Sequence, residues 1–405
     1  MDQFIAGVSV VDITPQLETP LGGFRRYRPA SSVGSSLKVK CLTLQRDKQS
    51  ALFVSADAFA IPNHMATRSR SRIAKDLEIS EDSILIAASH THSAPDTLGF
   101  ASPRNRLIAL KYLATLEAAI LESARMAWMN RFSAQAYAAT GRAFIGFNRV
   151  AWSRNQPLYQ ALLGMRLIRC LSRISEVVPI LPHKSGSRLV GPVDPNLNII
   201  WFEGRDGQGA ALVNYACHPT VLGPRSRVIS GDYPSAMATR MEQCLGQGFV
   251  TLFTNGAGGN INPQTCWGYG CDGTTDEVEQ LGRSLADEAL RAMRSNSRHV
   301  APRLKARSCM IPLSDLGKIQ IQLIDIGDWV IVAVPGELFV ETGLDMARQT
   351  CQRMVVIGYA NGYVGYLPPE QGFRMRCRET ERTWWNTAER GIAEKIHSTV
   401  TANLN

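Results

Sequence analysis

Four short turns carry the residues whose types could do chemistry. The apolar run 84–88 leads into Ser89-His90-Thr91-His92-Ser93, and the run 210–215 leads into Ala216-Cys217-His218-Pro219-Thr220. The run 329–334 leads into Pro335-Gly336-Glu337, and 354–359 leads into Ala360-Asn361-Gly362-Tyr363-Val364-Gly365-Tyr366. Three of the seven histidines fall in these turns. His90 and His92 are two apart, and in extended backbone they would share a face. Such a pair serves as two metal ligands, as one ligand and one proton carrier, or as hydrogen-bonded core histidines. With His218 and Glu337 the donors are nitrogen and oxygen, a set that suits Zn²⁺ and leaves a position for water. Zinc lowers the pKa of that water towards neutrality for attack on a carbonyl, and a neighbouring histidine can move the proton.

A glycine-rich stretch, 253–263, follows another strand and includes Asn255 and Asn260. It has neither the GKS/T ending nor the GxGxxG spacing of a nucleotide loop. Two readings stand: a loop presenting N–H groups to a developing oxyanion, or a tight strand-to-helix turn that needs small residues.

The elements that must position these turns read as strands alternating with helices. Strands are predicted at 38–45, 51–56, 84–88, 198–202, 210–215, 249–254, 319–326, 329–334 and 354–359. Helices are predicted at 65–77, 107–128, 277–293, 337–349 and 387–399. This order predicts an α/β fold, mixed sheets layered with helices, with the reactive turns at the strand C-terminal ends. Residues 140–191 are the least regular and read as an excursion over a single catalytic domain spanning 1–405.

The chain has 405 residues, 45% hydrophobic and 20% charged, and a mean hydropathy of −0.09, which excludes a disordered or fibrous chain. No apolar run approaches the roughly 18–20 residues of a membrane span. The N-terminal residues lack a basic stretch followed by an apolar one, so the expected location is cytoplasmic. Nine scattered cysteines read as reduced thiols, with Cys266 and Cys271 as an alternative loop disulfide. The net charge of +9 comes with small arginine groups rather than a long basic tract, so nucleic acid is not an expected partner. Arg68, Arg70 and Arg72 read as solvated helix surface. Arg25, Arg26 and Arg28, and Arg374, Arg376, Arg378 and Arg382, are candidates to line a pocket for an acidic substrate.

Taken together the segments resemble the neutral/alkaline (non-lysosomal) ceramidase family. The matching stretches are Ala6-Gly7-Val8, Asp12-Ile13-Thr14-Pro15, Gly22-Gly23-Phe24, Ser55-Ala56-Asp57 and Ser89-His90-Thr91-His92-Ser93. They continue through Phe147-Asn148-Arg149, 191–195, Ala216-Cys217-His218-Pro219-Thr220, 230–234, 255–263, Pro335-Gly336-Glu337 and 358–366, collinear from residue 6 to about residue 370. The resemblance implies a zinc amidase that cleaves an N-acyl bond, with His90, His218, Glu337 and Tyr366 as metal ligands. It implies His92 as a pocket residue that binds substrate or handles protons, and Arg149 as the group that orients or polarises the substrate. Arg149 and the loop of Asn255 and Asn260 would stabilise the oxyanion.

There are departures from the family pattern. Gly256 stands where ceramidases proper carry a serine, and Asn260 where members usually carry aspartate. Arg378 stands where the family places a second tyrosine, and the chain leaves no room for the family's C-terminal β-sandwich. The expected substrate is therefore a small, soluble N-acyl metabolite with an anionic group that arginines could hold. Trp267, Trp384 and Trp385 are candidates for an apolar wall. The rival readings are a metal-dependent ester or lactone hydrolase, an acyl-transfer enzyme, and a non-catalytic scaffold.

Overall fold

The computed structural model describes residues 3–24, 26, 28–99, 106–150, 191–205, 207–265, 272–314, 317–351 and 353–404. Most of the predicted excursion, Cys170, Trp267 and the Cys266–Cys271 pair lie outside these residues, as does Arg25.

Eight strands form the backbone of the larger sheet: β1 (Phe4–Asp12), β2 (Lys38–Arg46), β3 (Gln49–Ala56), β4 (Ile84–Ala88), β5 (Arg131–Arg142), β6 (Asn196–Glu203), β7 (Gly209–Tyr215) and β8 (Phe249–Asn255). Their order is β8-β7-β6-β5-β1-β2-β3-β4, and the short strand Arg298–His299 adds to β5 as the ninth. A second sheet holds β9 (Leu304–Leu313), β10 (Gly317–Ile326), β11 (Trp329–Ala333) and, after the two-residue β12 (Glu337–Leu338), β13 (Arg353–Ile357). β12 pairs in parallel with β14 (Tyr366–Leu367).

The layers follow from strand alternation. On one face of the large sheet, Val39, Cys41, Val54 and Ile86 pack on helices α1 (Asn63–Leu77) and α2 (Arg106–Met129). Further along that sheet, Ile199, Trp201 and Val213 meet α3 (Asp232–Leu245) and α4 (Thr275–Ser295). The opposite face, through Leu42, Phe53, Leu85, Ile200 and Leu212, packs on Ile324, Ile331, Val355 and Ile357 of the small sheet. The small sheet's outer face is covered by α5 (Val340–Arg348) and α6 (Ile392–Leu404), through Met346, Ile392 and Ile396. The result is an α/β/β/α stack, the mixed layered fold expected. Close packing sets glycine at position 7, where a Cβ would lie 2.1 Å from the Ala127 carbonyl oxygen of α2.

Three expectations need correction. Glu337 does not open a helix: it sits in β12, and the helix starts at Val340. The closing helix is Ile392–Leu404 rather than 387–399. Arg70 is not solvated: it is 5% exposed and donates to the carbonyls of Glu81 and Ile84. Among the described residues no helix is long and apolar enough to cross a membrane. Cys41, Cys217, Cys244, Cys309, Cys351 and Cys377 are free thiols, as expected.

Candidate metal centre

β4 is parallel to β3, β7 to β8, and β11 to β13, so their C-terminal ends gather on one side of the stack. The two sheets are stitched together there. Ala88 N–H donates to the Tyr359 carbonyl, Asn361 N–H to the Ile86 carbonyl, and Gly358 N–H to the Asn255 carbonyl. Backbone at positive φ concentrates in the same place, at His90 (68°), Tyr359 (55°) and Asn361 (59°), conformations held only where surrounding contacts over-determine them. His90 is therefore left-handed, not extended. The kink, rather than strand alternation, brings His90 Nε2 and His92 Nε2 to 3.2 Å.

His90, His92 and His218 form a buried group that could hold a metal ion. Glu337 joins it: its Oε2 lies 2.9 Å from His218 Nε2 and 3.7 Å from His90 Nε2. Donors about 2.0–2.1 Å from a tetrahedral zinc stand roughly 3.3 Å apart, so these separations fit one ion. Each donor is fixed from behind. His90 Nδ1 donates to the Phe59 carbonyl at 2.7 Å, and its ring lies between Phe59 and Tyr359, with centroids at 4.6 and 4.0 Å. His218 Nδ1 donates to the Gly258 carbonyl at 2.8 Å. Both tautomers are thus set with the Nε2 lone pair facing the centre, the arrangement that ligating histidines adopt. Tyr363, which motif reasoning did not single out, donates its hydroxyl to Glu337 Oε1 at 2.5 Å.

His92 differs. Its Nδ1 is buried without a partner, while its ring packs against Phe24 and Phe59. Gly23 at φ +76° makes room for that ring, since a Cβ there would lie 2.4 Å from His92 Cγ. With no partner on Nδ1 and Nε2 turned to His90, no backbone carbonyl fixes the His92 tautomer.

Burial pushes His90 and His218 down to about 3 and His92 well below the ordinary histidine range. Burial raises Glu337. All three imidazoles are therefore neutral at pH 7, the state a metal requires.

Arg149 reaches the centre from the loop after the short strand Gly146–Asn148. Its Nε donates to Glu379 Oε1 at 2.8 Å, Nη1 to Asn262 Oδ1 at 2.7 Å, and Nη2 to the Gly259 carbonyl at 2.6 Å and the Tyr366 hydroxyl at 3.2 Å. Tyr366 lies beside Glu337 in the β12–β14 register. The side chains of Arg149 and Glu379 are only 9% and 4% exposed, and breaking such a buried pair by removing one partner costs about 3–5 kcal/mol.

The loop asparagines hold backbone. Asn255 Oδ1 accepts from Cys217 N–H, and Nδ2 donates to the Cys217 carbonyl. Asn260 Oδ1 accepts from Val340 N–H at the start of α5, and Nδ2 donates to Glu341 Oε2 at 2.8 Å. The asparagine thus suits its neighbour: an aspartate would face the Glu341 carboxylate. The N–H groups of Gly256, Gly258 and Gly259 already bond to carbonyls, which favours the tight-turn reading of the loop. A Cβ at Gly256 would sit 3.0 Å from Ala216 Cβ, so a serine there would need its neighbour to shift.

Of the other expected residues, Arg26 donates to the carbonyls of Gly22, Gly223 and Ser226, and burial lowers it to about 10. Trp385 packs edge-on to Tyr366, whereas Trp384 is 68% exposed.

No family model matches the chain and no curated protein matches its sequence. Solved structures do match. Neutral ceramidase from Pseudomonas aeruginosa superposes with a TM-score of 0.78 over 99% of this chain and 74% of the other, at 15% identity. A structure described as ceramidase complexed with C2 gives 0.79 over the same shares, also at 15% identity. The chain therefore has a ceramidase-like fold, with a buried histidine cluster where its strand ends converge.

Proposed function

We propose that the protein is a zinc-dependent hydrolase of an N-acyl (amide) bond in a small metabolite. The observation that carries this reading is the convergence of His90 Nε2, His218 Nε2 and Glu337 Oε2, with both imidazoles anchored through Nδ1. Tyr366 completes the proposed ligand set from β14. Zinc held there would supply Lewis acidity, polarising a carbonyl and bringing a water towards neutral pKa. The chain's own residues do the rest. His92, whose Nε2 faces the centre 3.2 Å from His90 Nε2, takes the proton from the attacking water and returns it to the leaving amine. Arg149, whose Nη2 donates to the Tyr366 hydroxyl, orients the substrate carbonyl through that phenol. Phe24 and Phe59 keep water from the rings of His92 and His90.

An anionic group on the substrate gains no support from Arg26 or Arg149. Arg26 is engaged by three carbonyls and Arg149 by Glu379. The substrate class we favour is a neutral amide. Asn255 and Asn260 act in this reading by holding the loop rather than by touching substrate.

The test is a panel of N-acyl amides, matched esters and lactones, offered to zinc-loaded protein with water, amine or alcohol as acceptor. Hydrolysis of amides that stops with a chelator and returns with zinc is expected. Turnover confined to esters, acyl transfer without hydrolysis, or no turnover across the panel would each contradict the amidase assignment.

A further inference from the structure

We propose that Glu379 and Asn386, on the irregular segment before α6, are positioning residues that hold Arg149 against Tyr366. The contacts close a ring. Arg149 Nε donates to Glu379 Oε1 at 2.8 Å, and Arg149 Nη2 donates to the Tyr366 hydroxyl at 3.2 Å. Tyr366 N–H donates to Asn386 Oδ1 at 2.7 Å, and Asn386 Nδ2 donates to the Glu379 carbonyl at 3.0 Å. Both positioning residues are buried, Glu379 at 3% and Asn386 at 2% exposure.

Chemistry explains why these residue types are needed. A guanidinium withdrawn from water requires a carboxylate, because neutral acceptors alone leave its charge uncompensated. Asn262 and the Gly259 carbonyl are neutral acceptors, and Glu379 is the carboxylate bonded to this guanidinium. The carboxylate takes Nε, which fixes the guanidinium plane and leaves Nη2 directed at the phenol. The Asn386 amide accepts through its oxygen from one backbone group and donates through its nitrogen to two others. It also donates to the Glu381 carbonyl at 2.8 Å, so the segment cannot slide relative to β14. Gly365 permits the approach: its φ is +85°, and a Cβ there would lie 2.4 Å from Asn386 Oδ1. Trp385 then closes over the Tyr366 ring, with centroids 5.8 Å apart.

The consequence for catalysis rests on the hydrolase reading, but the positioning itself does not. A merely structural weld between this segment and the Arg149 loop would stabilise the fold and leave the centre untouched. The experiment separates the two. Metal-free crystals of wild type and Glu379→Ala are compared for the Arg149 Nη2 to Tyr366 Oη separation. Zinc affinity is then measured by competition with a chromophoric chelator for wild type, Glu379→Ala, Arg149→Ala and the double variant. We expect the contact to open beyond about 4 Å in Glu379→Ala. Zinc should bind about tenfold more weakly in that variant, and the double variant no more weakly than Arg149→Ala alone. Asn386→Ala opens the ring at its opposite point and is read the same way if Glu379→Ala does not fold. A guanidinium that stays on the phenol in these variants, or effects on zinc that simply add, would overturn the proposal. Wild type that binds no zinc would defeat the hydrolase reading, and the crystallographic separation would still decide the positioning.

Discussion

The two halves of the site are built differently. His90 and His218 stand just beyond β4 and β7 with their rings fixed by backbone carbonyls, and Glu337 stands on short β12 after β11 with its carboxylate held by the Tyr363 hydroxyl. Arg149 and Tyr366 stand on short strands or turns, and side chains fix them: Glu379, Asn262 and Asn386. The first half is rigid because two packed sheets hold it. The second is held by hydrogen bonds among irregular segments, so single substitutions there should move geometry without dismantling the fold. The same contrast divides the histidines, since His92 lacks the Nδ1 anchor that its two neighbours have.

The largest expected effect is in the sheet-borne half. His90→Ala or His218→Ala should lose bound zinc and reduce amide turnover below detection, read by plasma emission and a product assay. A variant that keeps both metal and activity would break the distinction. His92→Ala should keep about one zinc per chain while kcat falls about 10²–10⁴-fold, the range for removal of a general acid–base group. Loss of zinc in His92→Ala would instead make all three histidines ligands. Tyr363→Phe removes only the hydroxyl on Glu337 Oε1 and should weaken zinc binding about tenfold in chelator competition.

A smaller effect concerns pH. Burial depresses His90 and His218 to about 3 in the folded chain, so the unfolded chain binds more protons as pH falls below about 6.5. The stability they contribute is present above that pH and is lost towards acid, at up to about 1.4 kcal/mol per pH unit for each histidine. Asp57 and Asp232, raised to about 6 by burial, oppose this below pH 6, because there the folded chain takes up the proton first. Thermal melts of the metal-free protein should therefore fall from pH 7.5 to 6 and flatten below it. A midpoint that rises on acidification from 7.5 would contradict the neutral buried histidines. Least of all should change in Arg68→Ala, whose partner Glu117 is met at the surface. Metal content and melting midpoint should both match wild type.

The contrast also explains what the sequence disclosed. β4, β7 and β11 are wholly buried runs, so their limits and the histidines and glutamate beyond them were legible from hydropathy and turn chemistry alone. The family resemblance added Tyr366 and Arg149, which no periodicity marks. β1 and β5 were missed, since Phe4–Asp12 mixes buried and exposed positions and Arg131–Arg142 is alanine-rich and polar. α3 was missed: its start, Gly231 to Pro234, is poor in residues that favour a helix interior. Glu379 and Asn386 gave no signal: Glu379 lies 230 positions from Arg149 and Asn386 lies 20 from Tyr366, and neither belongs to a strand or an α-helix. Tyr363 was within reach, as it lies three residues before Tyr366 in the same motif. The same-face argument for His90 and His92 reached the right pairing by the wrong geometry, because the left-handed backbone of His90 has no sequence mark.

His90, His218 and Glu337 are proposed to hold one metal ion between them. The most direct measurement is metal content by plasma emission on chelator-free wild type and His218→Ala prepared side by side. About one zinc per wild-type chain, with almost none in the variant, is the predicted result. Wild type without metal after zinc is added back, or equal zinc in both proteins, would contradict it.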